Sequence, residues 1–389
     1  MLNRNLHLIE PTLTGLSGHE YGYVASLVSA NKSFNFDIHI WLGKTASNKD
    51  IISKLLNINK HAVIIHKYFI RAIRQIQKFF LYYKFLKNNQ TFYVCTSGLI
   101  DLVLCDFLSK CFKIFNHIFN RNSTNNNLNK QLAFFHFHQF NKTTNKIQKL
   151  TQITTDSKKS FKILATTVNL ANIFIDCGFT NVKHIPCPSF SPKKTIEKLQ
   201  CSFNKILYAG VARSDKGFSL VVDTVIAMQD KYAYLPFVLQ ISAPSSNRYD
   251  AKTLGSLNKL QKIANLNHKI RLYRNALTDQ QYQELFFGAI CLLVYEQVKY
   301  SDKFSGVTLD AFYAGCPVIT VDNTWMGDIT KRFDAGIVLQ QPTITSVSLA
   351  ILKIKEQYAN YHANAKQAAQ YLIATHDPKH SLQAVYDYL

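Results

Sequence analysis

The sequence predicts an α/β protein made of two doubly wound, Rossmann-like parallel-sheet domains facing each other across a cleft. Three observations carry this expectation. A chain of 389 residues is long for one hydrophobic core and comfortable for two. From residue 205 onward, short apolar runs alternate with amphipathic segments of about ten residues, the pattern of βαβ units. Between the halves, "SFSPKKTIEKLQCSFN" (189–204) is polar, charged and broken by Pro192, as a linker would be. The expected organisation is a first domain over 1–190, a second over 205–370, and a segment 371–389 whose "SLQAVYDYL" helix crosses back to the first.

Taken in order, the amino-terminal stretch "MLNRNLHLIEPTLTG" shows only a brief apolar patch, with no signal-peptide pattern. "FDIHIWLG", "FYVCTSG", "LAFFHFHQF", "FKILATT" and "VKHIPCP" read as buried strands of the first half. "NRNSTNNNLNK" (120–130) reads as a polar loop. The segment 66–87, "HKYFIRAIRQIQKFFLYYKFLK", has the period of a basic amphipathic helix. Lys67, Arg71, Arg74 and Lys78 share one face, and Phe69, Ile73, Ile76, Phe80 and Tyr83 the other. It serves either as a contact to an anionic membrane surface or as a core-packed helix with a solvated cationic face. In the second half the strands are "KILYAG", "LPFVLQIS", "KIRLYRN", "ICLLVYE" and "PVITVD", with helices such as "GFSLVVDTVIAMQ" and "LGSLNKLQKIANL" between them.

The net charge of +21 is concentrated. Residues 51–150 hold twelve Lys and three Arg against two acids, Asp101 and Asp106. Such a body suits an anionic partner: nucleic acid, a phospholipid surface or a phosphorylated substrate. No helix-turn-helix, zinc-finger or RNA-recognition pattern supports nucleic acid. No apolar run is long enough to span a bilayer. The eight cysteines show neither Cys-x-x-Cys pairs nor a compact Cys/His cluster and read as reduced structural thiols. A cytoplasmic protein is expected, peripheral on the inner membrane face if the basic helix meets lipid.

Two stretches carry chemistry. In "YAGVARSDKGF" (208–218), a glycine turn follows a strand, and Arg213 and Lys216 precede a helix, which suits a diphosphate clamp. In "YSDKFSGVTLDAFYAGCPVI" (300–319), Ser305 is the natural cap of a helix whose first residue, Gly306, lets phosphate approach the backbone N–H groups. Asp302 lies just before that helix and Asp310 more than a turn inside it. They can face one bound molecule, Asp302 near a sugar and Asp310 near a ribose diol, or be a loop acid and a plain helix residue.

Together these motifs resemble the C-terminal domain of the GT-B fold glycosyltransferases, especially the large retaining family 4-like group that includes phosphatidylinositol mannosyltransferases and lipopolysaccharide sugar transferases. That group has two acids separated by seven residues and then an Ala-Gly-x-Pro-Val-Ile run; Asp302, Asp310 and "AGCPVI" fit. "ILATTVNLANIFIDCGFTNVKHIPCP" (163–188) resembles the close of its N-terminal domain, so the likeness is strong after residue 200 and weaker before. Both acids are aspartates here instead of glutamates, and Arg213 stands three residues before Lys216, closer than in the family.

The resemblance implies a glycosyltransferase moving a sugar from a nucleoside-diphosphate donor to a glycan or lipid-linked acceptor, with retention and no metal; no Asp-x-Asp motif is present. Arg213 and Lys216 would meet the diphosphate, the backbone of Ser305, Gly306 and Val307 its phosphate, Asp310 the ribose and Asp302 the transferred sugar. Gly18 and His19 in "GLSGHE" would belong to a glycine-rich loop, His136 (or second His138) would stand beside the sugar, and Asn275 and Leu277 in "NALTDQQY" would meet the base. Alternatives are a sugar-nucleotide epimerase, a non-catalytic sugar-nucleotide binder and, more remotely, a nucleic-acid binder.

Overall fold

A computed structural model of the chain describes residues 5–13, 19–44, 60–65, 71–118, 132–189, 202–241, 249–275 and 277–389. The chain divides into two compact units, Met1–Phe190 with Thr375–Leu389, and Ser191–Ala374.

The first unit contains strands β1 (Asn5–Glu10), β2 (Asp37–Lys44), β3 (Lys60–Ile65), β4 (Thr91–Val94), β5 (Ala133–Phe137), β6 (Lys162–Ala165) and β7 (Val182–His184). All pair in parallel, in the order β3-β2-β1-β4-β5-β6-β7. Strands buried on both faces of a parallel sheet read as continuous apolar runs, and β4 (TFYV) and β5 (AFFHF) are buried throughout. The helix Lys379–Tyr386 packs in this unit, with Tyr386 against Phe34 and Phe36 and Tyr388 against Phe134.

Two strands here, β1 and β3, were not expected from sequence. In β1 the polar residues mask the strand pattern, yet His7 and Glu10 are buried and hydrogen-bonded inside the fold. Trp41 Nε1 donates to His7 Nδ1 at 3.1 Å, and Glu10 accepts from the Thr12 backbone N–H at 3.1 Å and Thr96 Oγ1 at 2.5 Å.

The face assignment of the basic helix also needs correction. The helix runs Arg71–Lys87; Lys67 and Phe69 lie outside the described residues. Its core stripe is Leu81, Tyr82, Phe85 and Leu86, and Lys78, assigned above to the outer cationic face, is buried beside it. Its ammonium pairs with Asp101 at 2.7 Å, and the Tyr82 hydroxyl donates to the same carboxylate oxygen at 2.6 Å. A buried lysine is tolerated only when paired in this way. The opposite stripe, Ile73, Ile76, Phe80 and Tyr83, is exposed.

The second unit contains β8 (Lys205–Ala209), β9 (Phe237–Gln240), β10 (Ile270–Tyr273), β11 (Ala289–Leu293), β12 (Val318–Val321) and β13 (Gly336–Leu339), ordered β10-β9-β8-β11-β12-β13, all parallel. Strand β13 was not expected from sequence. Alternate residues feed two cores, one per face. Ile206, Tyr208 and Leu292 pack on one side, and Leu207, Ala209, Cys291 and Leu293 on the other.

Candidate functional site

The strand order of the second unit is the doubly wound 3-2-1-4-5-6, in which the chain leaves the two central neighbours in opposite directions. Those neighbours are β8 and β11. A crevice forms outside their carboxyl ends, where Gly210–Lys216 follows β8 and Val294–Ser305 follows β11. Both chemistry-bearing stretches of the sequence therefore meet at one place.

Gly210 (φ +118°) allows the convergence. A Cβ there would lie 3.2 Å from Lys216 Nζ and 3.8 Å from Val307 Cγ2, so the ammonium and the first turn of the helix Gly306–Tyr313 approach the same point. Gly217 (φ +67°) ends the tight turn and opens the helix Phe218–Lys231. A Cβ at Gly217 would fall 2.0 Å from the Val294 carbonyl oxygen. Gly217→Ala is expected to cost roughly 1–3 kcal/mol or more in unfolding free energy, from the left-handed backbone and this clash together. Urea titration measures it, and an unchanged midpoint would remove the turn from the account.

Lys216 and Arg213 differ sharply. The Lys216 ammonium lies 5.4 Å from the centre of the buried Tyr295 ring and has no carboxylate within ion-pair distance among the described residues. Burial, reinforced by the Arg213 charge, pushes it down to about 8. Among the described residues it is a desolvated cation in no ion pair, and the nearby Asp215 charge offsets only part of the shift. Arg213 has a close counter-ion: Nε and Nη2 donate to the two carboxylate oxygens of Asp215 at 2.7 and 2.5 Å, and Nη2 also donates to Tyr300 Oη at 3.1 Å. Of the two expected clamp cations, Arg213 is thus held in an ion pair with Asp215, and Lys216 is in no ion pair among the described residues. With only two residues between Arg213 and Lys216, the tight turn Ser214–Lys216 folds Asp215 onto its own arginine.

Ser305 caps the helix, its Oγ accepting the Thr308 N–H at 3.4 Å. A Cβ at Gly306 would meet nothing within 4 Å, so the space beside this residue is open. Asp302 is buried at 4% exposure. Asp310 accepts a 3.2 Å hydrogen bond from the Tyr282 hydroxyl, and desolvation, only partly offset by that bond, pushes its carboxyl up to about 7. The Cys291 thiol on β11 feels both groups, raised by Asp310 and lowered by Lys216, after a larger upward push from burial. Asn275 is exposed and Leu277 half-buried at the carboxyl end of β10, just before the helix Asp279–Glu284 that carries Tyr282. Sequence reasoning missed Asp215, Tyr282, Tyr295 and Tyr300; the available signal was that Tyr295 and Tyr300 fall in the stretch straight after β11.

In the first unit, His136, the residue expected beside a sugar, is enclosed in the packing around β5. It is fully buried, with Nδ1 at 2.6 and 2.8 Å from the Tyr23 and Tyr93 hydroxyls and Nε2 donating to the Ile185 carbonyl at 2.9 Å. Burial pushes it down to about 4, so it is a neutral core histidine. The half-buried His138 ring lies 5.2 Å from it. Gly18 lies outside the described residues, and His19 opens the helix His19–Ala30. Among the described residues no group of three His, Cys, Asp or Glu side chains is placed to hold a metal ion.

No family model matches the chain, and no curated protein matches it in sequence. Solved structures match it along nearly its whole length. HepE from Anabaena in complex with UDP aligns with TM-score 0.65 at 12% identity over 99% of this chain and 100% of that one. A glycosyltransferase from Rickettsia africae aligns with TM-score 0.69 at 11% identity over 100% and 99%. The apo form of the lipopolysaccharide outer core galactosyltransferase WaaB aligns with TM-score 0.65 at 10% identity over 99% and 100%. At these identities the likeness shows the fold, two Rossmann-like domains of the GT-B type.

Proposed function

We propose that the chain is a glycosyltransferase that moves a sugar, with retention, from a nucleoside-diphosphate donor to a glycan or lipid-linked acceptor in bacterial surface polysaccharide or lipopolysaccharide synthesis. One observation carries this most: an ammonium in no ion pair among the described residues, held over an aromatic ring and close to the first turn of the helix Gly306–Tyr313, at the switch point of a doubly wound sheet. A diphosphate is the ligand that such a place lacks. The HepE structures with UDP and with UDP-glucose support a nucleotide sugar as that ligand.

Transfer breaks the bond between the anomeric carbon and the diphosphate oxygen, and negative charge builds on the leaving group. A preorganised positive site is the largest contribution to such a step. Lys216 and the N–H groups of Gly306 and Val307 would supply it, with Asp310 on the ribose and Asp302 on the sugar. The work at the cytoplasmic face of a membrane would draw on the cationic first unit, where a lipid surface meets the helix Arg71–Lys87; among the described residues no helix is long and apolar enough to cross a bilayer. The test is incubation with a panel of radiolabelled nucleotide sugars, with and without anionic vesicles carrying bacterial lipid extract. Label should pass into the extract from one donor; release or epimerisation of the sugar alone, or no donor binding, would sink the reading.

A further inference from the structure

The helices Arg71–Lys87 and Leu99–Ile118 pack side by side in the first unit, joined by the Lys78–Asp101 pair and by Tyr83 stacking on Phe112 at 5.3 Å. Their outer surface is strongly apolar. Phe80 is 64%, Phe107 54% and Ile114 59% exposed, with Ile73, Ile76 and Ile100 beside them. Their only acids, Asp101 and Asp106, are both buried and paired, with Lys78 and Lys110. The two helices therefore offer apolar side chains and lysines with no exposed acid of their own; among the described residues, the one exposed acid paired with them is Asp156 of the neighbouring helix Thr155–Ser160, which meets Lys113.

A groove of about 710 Å³ opens next to this surface, between the helices Leu99–Ile118 and Thr144–Thr151. Ile100 belongs to both, and Val103 and Lys110 stand one position round the helix from Ile100, Phe107 and Ile114. Its lining includes the apolar Ile100, Val103 and Ile153 and the cations Lys110, Lys146 and Lys149. Asp106 neutralises Lys110 at 2.8 Å. Lys146 is held in place by donating to the Phe140 carbonyl at 2.8 Å, which removes none of its charge. Lys146 and Lys149 have no carboxylate partner among the described residues. The groove thus carries two uncompensated positive charges beside greasy walls.

We propose that this two-helix face docks on an anionic phospholipid bilayer and that the groove seats the phosphate headgroup of one lipid, with Lys146 and Lys149 as its cations. The inference rests on the membrane contact proposed above, moves it from one helix to a pair, and adds a headgroup site. Exposed aromatic and aliphatic side chains enter the acyl boundary while lysine stems reach back to the headgroups. A protein partner would bring acids of its own to such a surface; a bilayer brings them in every lipid.

Flotation with vesicles of phosphatidylcholine alone and of phosphatidylcholine with phosphatidylglycerol tests this, with soluble glycerol phosphate as the free-headgroup arm. The wild type should float with the anionic vesicles only, less so in high salt. Phe80→Ser with Phe107→Ser should abolish flotation. Lys149→Glu, an exposed position, and Lys146→Gln should each weaken it by about tenfold or less while thermal unfolding stays at the wild-type temperature. Glycerol phosphate should compete weakly at best, since it lacks the acyl contact. Flotation unaffected by the two lysine variants would overturn the headgroup site and leave the membrane contact standing. No flotation by the wild type, or a concentration-dependent dimer abolished by the two serine substitutions, would overturn both.

Discussion

Lys216→Ala is expected to weaken nucleoside-diphosphate binding and turnover by roughly 30- to 1000-fold, or about 2–4 kcal/mol, with no loss of folding stability. The ammonium is desolvated and in no ion pair among the described residues, so the unliganded protein holds it at a cost that a bound diphosphate would offset. Arg213 behaves differently because Asp215 already occupies its fork. The pair is neutral. Arg213→Ala unmasks the Asp215 carboxylate and should weaken binding, whereas Asp215→Asn frees the guanidinium and should strengthen it by up to about fivefold. The double variant should return near the wild type. Titration calorimetry with UDP, ADP and GDP measures all four proteins. Wild-type affinity in Lys216→Ala would remove the diphosphate from this crevice; weaker binding in Asp215→Asn would mean that the aspartate positions the arginine and does not compete with the ligand.

How far the sequence reaches depends on whether a residue's role is set by its own neighbourhood. The strands β8, β9, β11 and β12 are legible because each is an uninterrupted apolar run with a turn behind it, and Ser305 is legible as a cap because capping is local. Strand β1 is hidden by His7 and Glu10, whose partners Trp41 and Thr96 are far away in sequence. The helix Arg71–Lys87 is apolar on two sides, so periodicity finds the helix and cannot choose its buried face; Lys78 is decided by Asp101 on another helix. His136 shows the same limit. Alternation gives the face of β5 it occupies, and only the packing of Tyr23 and Tyr93 over it shows that this face is closed. The Asp215–Arg213 pair is local, made within a short turn whose fold the spacing alone does not reveal, whereas the tyrosines over His136 come from other elements of the first unit.

Asp310→Asn is expected to move two measurements in opposite directions. The carboxyl titrates at about 7 in the folded protein, far above its ordinary range, because burial outweighs the Tyr282 hydrogen bond. The folded state therefore holds a proton that the unfolded state releases at lower pH. Stability from this group is fully present below about pH 4 and is lost as pH rises through about 7, where the desolvated carboxylate of this half-buried residue is left charged. Asn carries no such charge, so the variant should unfold at a higher temperature than the wild type at about pH 8 and at nearly the same temperature at about pH 4. Binding goes the other way. A carboxylate that accepts from both ribose hydroxyls is worth about 1.5–3 kcal/mol, so the variant should lose roughly 10- to 150-fold in nucleoside-diphosphate affinity. Wild-type affinity should rise as Asp310 ionises near pH 7 and fall as Lys216 loses its proton near pH 8, and the rising flank should vanish in Asp310→Asn. Asp302→Asn should keep the diphosphate affinity and depress transfer, because its partner is the sugar, which that ligand lacks. Calorimetry and thermal unfolding across this range give every quantity. Equal loss of diphosphate affinity in both aspartate variants would refute the division between ribose and sugar, and a more stable Asp310→Asn protein with undiminished affinity would leave that carboxyl as a cost to the fold with no ligand to justify it.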